Sequence, residues 1–196
     1  MTRLRILGLI SILSGLIGIL LVGFFAANDF GYPGTAAYRV YETLNRLIAL
    51  PLLLIACGWL GLALALPTGH GRISTWLAFV AAVIMAAGTA AEFWLFSDQP
   101  YGVWTNGRMA SFMSFFIASL ILYICATLVG VHLWRAKSGP RPAAAILMAA
   151  IPLYIAVVFT INSNFLIPAL LALVVGMVLL SSHMRSHVSG RNPVST

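Results

Sequence analysis

Formally charged residues divide the chain into long apolar segments. Twenty-three residues without a formal charge separate Arg5 from Asp29, and further uncharged segments cover residues 47–71, 73–91 and 109–134. A helix needs about 20 apolar residues to cross the hydrocarbon core of a bilayer, so each segment predicts one transmembrane helix. The first apolar run, residues 6–27, exceeds the roughly 7–15 residues of a signal-peptide core, which favours a retained helix.

The last apolar segment, residues 142–184, contains 43 residues without a formal charge. A helix of that length, at 1.5 Å per residue, is too long for one span of a hydrocarbon core of about 30 Å. Near its middle lie Asn162, Ser163 and Asn164, which favour a tight turn and would be costly in lipid. Between the first two spans, residues 35–45 predict a short interfacial helix. The pattern therefore predicts an all-α bundle of six transmembrane helices at residues 6–27, 47–66, 73–96, 110–134, 143–161 and 165–182.

The distribution of basic residues predicts the orientation of this bundle. With a cytoplasmic N-terminus, eight Lys and Arg residues fall on the inside and three on the outside, and the excess on one side marks the cytoplasmic face. Both termini are then cytoplasmic, and all four acidic residues lie at the outer face. The inner residues are Arg3, Arg5, Arg72, Arg135, Lys137, Arg141, Arg185 and Arg191; the outer ones are Arg39, Arg46 and Arg108.

Composition agrees with a membrane protein. Hydrophobic types make up 61% of the 196 residues and charged types 8%, against about 25% charged in a soluble domain. We therefore expect a single transmembrane domain over residues 1–182, a polar cytoplasmic tail over 183–196, and a location in a bacterial cytoplasmic (inner) membrane. The net charge of +7 does not predict nucleic-acid binding, because the cations lie at separate helix ends. Their expected partners are anionic lipids at the cytoplasmic face of the bilayer.

Small residues and one proline predict how the helices pack. Ala78, Ala82, Ala86 and Ala90 recur every fourth residue of the third span, and small residues let membrane helices approach closely. This stripe predicts that the third helix is central and closely contacted by a neighbour. Pro152, in the middle of the fifth span, predicts a kink or local unwinding there.

One acidic residue lies within a predicted span. Glu92 falls about one turn inside the outer end of the third span, where an ionisable group is a candidate functional residue by default. Arg46 and Arg108 begin the second and fourth spans on the same side, and either could form a structural ion pair with it. The alternative is that Glu92 binds a cation, a proton or a polar head group. With Arg39 and Asp98, these residues would form a polar outer mouth, the candidate binding site.

Other residue types predict neither a cofactor nor a metal site. Cys57 and Cys125 lie in apolar runs and predict small buried side chains. Only His132 is expected to be even partly embedded, which does not suit bis-histidine haem or a metal centre. Catalytic residues are not predicted either; an intramembrane hydrolase using Glu92 as base would need a nucleophile among Ser111, Ser114 and Thr89, and such hydroxyls usually bond back to their own helix.

The near absence of polar groups inside the predicted bundle favours a non-catalytic function. The leading hypothesis is an accessory subunit or membrane-embedded binding protein, with a membrane protein or a second copy of the chain as possible partner. The first alternative is a transporter or channel for a small or lipophilic solute, with Glu92 in an outer vestibule. The second alternative is an intramembrane enzyme that acts on a lipid at the outer leaflet.

Overall fold

The computed structural model describes residues 35–66, 69–100, 102–137 and 140–160, together with isolated helical positions at 6, 9, 10, 13, 16, 17, 20, 175, 176, 178 and 179. All regular elements in these residues are helices. Most of the first and sixth predicted spans, and the predicted turn at residues 162–164, lie outside the described residues. The helices are α1 (Ala36–Ala65), α2 (His70–Ala90), a π-helical segment (Ala91–Leu95), α3 (Gly107–Ala136), α4 (Arg141–Met148) and α5 (Ala150–Thr160).

Three helices are long and apolar enough to cross a membrane. Ala36–Ala65 and Gly107–Ala136 contain 30 residues each, and His70–Leu95 contains 26. At 1.5 Å per residue, 26 residues extend about 39 Å, which exceeds a hydrocarbon core of about 30 Å. These helices indicate an integral membrane protein.

The first described helix differs from its prediction at the N-terminal end. The interfacial helix predicted over residues 35–45 and the span predicted from Leu47 form one continuous helix, α1. Thr35 caps it, because the Thr35 hydroxyl accepts a hydrogen bond from the Tyr38 amide at 3.1 Å. No proline or glycine interrupts residues 36–50, so the backbone hydrogen bonds continue from the interfacial part into the apolar part.

The predicted close contact of the third span with a neighbouring helix is confirmed among the described helices, although the fourth span, α3, contacts more of them than α2 does. α2 packs between α1 and α3, and Ala78, Ala82 and Ala86 are 0%, 1% and 6% exposed. The backbones of α2 and α3 approach closely at Gly88, where an added Cβ would lie 3.0 Å from the Ser111 carbonyl oxygen. The small residues thus bring the backbones of neighbouring helices together, which is the usual source of close packing in a membrane.

The predicted local unwinding of the fifth span is also confirmed. The helix is interrupted at Ala149, between α4 and α5. The Ala149 amide reaches the carbonyls of Ala145 and Ile146 at 3.1 and 3.2 Å, which tightens the last turn of α4. Three residues later Pro152 has no N–H to donate to the Met148 carbonyl, so a regular helix cannot continue through this point.

The neighbouring helix α3 compensates for this break. The Thr127 hydroxyl accepts a hydrogen bond from the Ile151 amide and lies 3.3 Å from the Leu147 carbonyl oxygen, to which it donates. Close approach of the two helices is possible because Gly130 has no side chain. A Cβ at Gly130 would lie 2.7 Å from the Ala144 carbonyl oxygen.

In the described helices the acidic residues lie at one end of the bundle, together with three arginines, and the other end carries cations alone. One end, here the acidic end, holds the start of α1, the π-helical segment and the start of α3. The other, here the basic end, holds the start of α2, the end of α3 and the start of α4; the His132 ring lies against Gly71 there. The acidic end carries Arg39, Glu42, Arg46, Glu92, Asp98 and Arg108, and the basic end carries Arg72, Arg135, Lys137 and Arg141.

Candidate functional site

Arg108 is the most extensively bonded residue of the predicted polar mouth. It begins α3 after Asn106, whose side-chain oxygen accepts from the Met109 amide at 2.9 Å and caps the helix. The Arg108 guanidinium is buried and donates from Nη1 to the backbone carbonyls of Ser97 and Gln99, at 2.8 and 3.0 Å. These two bonds fix the loop between the π-helical segment and α3 onto the end of the bundle.

The same guanidinium pairs with an acidic residue that the predicted site did not include. Nη2 of Arg108 lies 3.3 Å from Oε1 of Glu42, whose side chain is 22% exposed. Glu42 lies on the first turns of α1, so the pair connects α1 to α3. Because Arg108 also lies 6.0 Å from the centroid of the Phe93 ring, it has favourable partners on three sides.

Arg46 caps the end of the helix that carries Glu92. Its Nε donates to the backbone carbonyl of Phe93 at 2.8 Å. The last carbonyls of a helix lack partners within the helix, and a cation near them is favourable. The Trp94 indole donates in return to the Arg46 carbonyl at 3.4 Å. Arg46 therefore holds α1 against the π-helical segment at the end of α2, through the Phe93 carbonyl.

Glu92 lies in the π-helical segment and is 5% exposed. Its carboxylate and the Arg108 guanidinium both lie close enough to the Tyr41 hydroxyl to interact with it electrostatically. Pairing of Glu92 with Arg46 or Arg108 remains a prediction. The π-helical turn closes the C-terminal end of this helix, where such turns are common. The burial of the Glu92 carboxyl group, and not the turn, is what makes this end a candidate binding site.

The remaining two members of the predicted mouth lie on its surface. Arg39 is exposed on the first turns of α1, and Asp98 is exposed in the turn after the π-helical segment. The structure therefore places Glu92 and Arg108 within electrostatic range of the same Tyr41 hydroxyl and Arg46 against the Phe93 carbonyl. Arg39 and Asp98 are exposed. The described site is better summarised as a buried Arg108 paired with a partly exposed Glu42, with a buried Glu92 on the adjacent π-helical segment.

The hydroxyls considered as nucleophiles bond to their own helices. Thr89 donates to the Met85 carbonyl at 3.0 Å, Ser111 to the Gly107 carbonyl at 2.8 Å and Ser114 to the Ala110 carbonyl at 2.8 Å. This is the ordinary local bond of a hydroxyl in an apolar helix, and it agrees with the expectation from sequence. A nucleophile activated by a neighbouring base would show a hydrogen bond to that base instead.

Histidine and cysteine side chains are dispersed over the described part of the chain. His70 is exposed, His132 is half-buried at the basic end, and Cys125 is buried within α3. Over the described ranges there is no group of three His, Cys, Asp or Glu side chains able to hold a metal ion.

Sequence reasoning missed a polar cluster in the interior of the bundle. The Tyr154 hydroxyl lies 2.9 Å from the Ser119 hydroxyl, which donates to the Phe116 carbonyl at 2.7 Å. The rings of Tyr123 and Tyr154 are stacked with centroids 4.7 Å apart. Ser119, Tyr123 and Tyr154 each lie within an apolar run. Hydropathy therefore gives no signal that these three side chains meet.

These contacts are chiefly structural. Arg46 and Arg108 bond to a helix end and to the loop before α3. The Thr127 hydroxyl bonds to the backbone at the helix break, and the Ser119 hydroxyl bonds to Tyr154. Glu92 is a buried carboxyl group at the end of a helix long enough to cross a membrane, a position at which an ionisable residue is a candidate functional residue. No protein-family model matches this chain, and neither the curated proteins nor the solved structures include a match to it.

Proposed function

We propose that this protein is a non-catalytic, membrane-embedded accessory or binding protein. It forms a bundle of six transmembrane helices with both termini in the cytoplasm, in a bacterial cytoplasmic membrane. Its work is to associate with another membrane protein, or with a second copy of itself, through its lipid-facing helix surfaces.

One observation carries this proposal: two of the three arginines of the acidic end, Arg46 and Arg108, are bonded to the protein itself. Arg108 is bound to two loop carbonyls and to Glu42, and Arg46 is bound to the Phe93 carbonyl. A transporter or enzyme needs polar groups that exchange water for substrate. The guanidinium groups of Arg46 and Arg108 already bond to protein atoms. They are therefore poorly suited to that exchange and well suited to hold the helix ends in place.

The charge distribution supports the orientation. The four described cations of the basic end have no acidic residue near them in the described chain, whereas the acidic end holds three Arg residues and three acidic ones. An excess of Lys and Arg marks the cytoplasmic side of a membrane protein, and the predicted topology puts eight such residues on the side of the basic end and three on the other. This count supports a basic end in the cytoplasm and a Glu92 near the outer surface.

A pair of cysteine substitutions tests the orientation. Lys137→Cys and Asp98→Cys, each in a background with Cys57 and Cys125 replaced by alanine, place one exposed thiol at opposite ends of the bundle. A membrane-impermeant maleimide added to intact cells should label the Asp98→Cys protein and should label Lys137→Cys only after the cells are opened. The reverse pattern would overturn the orientation.

The accessory function is tested by purification and reconstitution. The full-length protein is extracted from native membranes in a mild detergent, and copurifying proteins are identified; a stoichiometric membrane protein partner, or a defined oligomer of the chain, is expected. The same preparation, placed in proteoliposomes, should be no more permeable to protons, K⁺ or Na⁺ than empty liposomes. A monomer without partners, combined with specific flux, contradicts the proposal.

The burial of Glu92 in the π-helical segment favours a second candidate, a transporter or channel for a small cationic or protonated solute. Glu92→Gln separates the two. If it abolishes a flux that the wild-type protein shows, and leaves the melting temperature unchanged, the transport function holds. If flux is absent from both and only the melting temperature falls, Glu92 is structural and the accessory function is supported.

A further inference from the structure

Three helix ends meet at the basic end of the bundle. An added Cβ at Gly71 would lie 2.4 Å from the His132 ring, so the first turn of α2 touches the last turns of α3. Gly130 faces the Ala144 carbonyl, which holds α4 against the same part of α3. The residues that begin or end these helices therefore form one surface.

This surface is cationic and remote from the acids of the described chain. It carries Arg72, which is half-buried, and Arg135, Lys137 and Arg141, which are exposed. In the described chain none of the four forms an ion pair. Glu92 lies twenty residues after Arg72 along one continuous helix, about 30 Å at 1.5 Å per residue. That separation is nearly four times the Debye length of about 8 Å at physiological salt, so the acidic end does not neutralise these cations.

Two tryptophans fix the depth of the surface relative to lipid. Trp76 lies one turn inside Arg72 on α2, and Trp134 directly precedes Arg135 on α3; both side chains are exposed, by 37% and 48%. Tryptophan collects at the level of the lipid head groups, where its ring is in the apolar layer and its N–H reaches water. The cations beside these rings therefore lie at the depth of lipid phosphates.

We propose that Arg72, Arg135, Lys137 and Arg141 form a binding surface for the phosphate groups of anionic phospholipids. The guanidinium groups bind phosphate oxygens in pairs, while the exposed apolar faces of α2 and α3 contact the acyl chains. A soluble phosphate compound would gain only the first of these contacts. This inference goes beyond the proposed function and does not depend on it.

Lipid titration of the purified chain tests the proposal. The full-length protein, delipidated in a neutral detergent, is titrated with phosphatidylglycerol and with phosphatidylcholine of the same acyl chains, and bound lipid is counted by native mass spectrometry. The wild-type protein should prefer phosphatidylglycerol. Arg135→Gln with Arg141→Gln should lower this preference by about fivefold for each cation removed, whereas lysine at both positions should retain most of it.

Arg39→Gln is the matched control, because it removes one exposed cation from the acidic end and should leave the lipid preference unchanged. If the double variant does not fold by circular dichroism, Lys137→Gln, at an exposed position after the end of α3, replaces it, with about a fivefold loss expected. Equal affinity for the two lipids in the wild type, or an equal loss in Arg39→Gln, overturns the proposal. Displacement of phosphatidylglycerol by millimolar inorganic phosphate overturns it too, since that indicates a soluble-anion site.

Discussion

The hydroxyl of Thr127 on α3 accepts a hydrogen bond from the backbone amide of Ile151 on α5, at 3.2 Å. In a regular helix that amide would bond to the carbonyl of Leu147, four residues earlier. Here the Thr127 hydroxyl lies between the two groups, since it also reaches the Leu147 carbonyl at 3.3 Å. A side chain of one helix thus satisfies the backbone of a broken neighbour, as lipid could not.

Replacement of this hydroxyl should destabilise the bundle. Thr127→Val keeps the shape of the side chain and leaves the Ile151 amide and the Leu147 carbonyl without their partner. We expect the free energy of unfolding to fall by about 1 kcal/mol, within the range of hydrogen bonds between membrane helices. Equilibrium unfolding in mixed micelles measures it. Thr127→Ser retains the hydroxyl and is the control; equal stability of the valine variant and the wild type would contradict the bridging function.

Arg108→Gln should release the loop that precedes α3. The substitution removes the bonds to the Ser97 and Gln99 carbonyls and the pair with Glu42, at a cost of about 3 kcal/mol for a buried charged donor. Trp104, exposed in this loop, becomes a site of faster cleavage by chymotrypsin, because local opening governs proteolysis. The cleavage rate of the native protein measures the effect.

Glu42→Gln and Arg39→Gln are the controls for the Arg108→Gln variant. Glu42→Gln keeps an acceptor oxygen and leaves both loop bonds intact, so we expect a loss of about 1 kcal/mol or less for this partly exposed pair. Arg39→Gln, on the exposed face of α1, should change stability by less than about 0.5 kcal/mol. An Arg108→Gln protein that resists chymotrypsin as well as the Arg39→Gln protein would show that Arg108 does not hold the loop.

Two glycines of α2 and α3 that face the backbone of a neighbouring helix should differ in their tolerance of a methyl group. An added Cβ would lie 2.7 Å from the Ala144 carbonyl oxygen at Gly130, but 3.0 Å from the Ser111 carbonyl oxygen at Gly88. We therefore expect Gly130→Ala to cost about 1–3 kcal/mol by forcing α3 and α4 apart. Gly88→Ala should cost less than about 1 kcal/mol, because a smaller shift suffices. Thermal unfolding of the two variants ranks them; the opposite order would refute the assigned helix contacts.

The alanine stripe of α2 gives a matched pair of substitutions on one helix. Ala82 is 1% exposed and Ala87 is exposed to the lipid side. Ala82→Leu should destabilise the bundle by about 1–3 kcal/mol through overpacking, whereas Ala87→Leu should be neutral to within about 0.5 kcal/mol. The yield of monodisperse protein in size-exclusion chromatography, together with the melting temperature, distinguishes them. Equal tolerance at both positions would argue against a central α2.

Sequence alone determined the features that depend on the solvent around each segment. Uncharged runs of about 20 residues must satisfy their own amides in hydrocarbon, so the long helices α2 and α3 could be placed nearly to their ends. The alanine spacing determined the buried face of α2, and Pro152 determined that the helix breaks, because both effects act within one helix. The confinement of the acidic residues of the described chain to one end followed from their order along the chain.

Only the tertiary structure decided which side chains meet between helices. Arg108 pairs with Glu42, which lies 66 residues away, and Tyr154 reaches Ser119 across the interior at a distance of 35 residues. Such pairs depend on the rotation and axial shift of one helix against another, and hydropathy contains no information on either. The same holds for Thr127. Pro152 predicted a break in the helix, but only the packing of α3 determined that the Thr127 hydroxyl bonds to the backbone there.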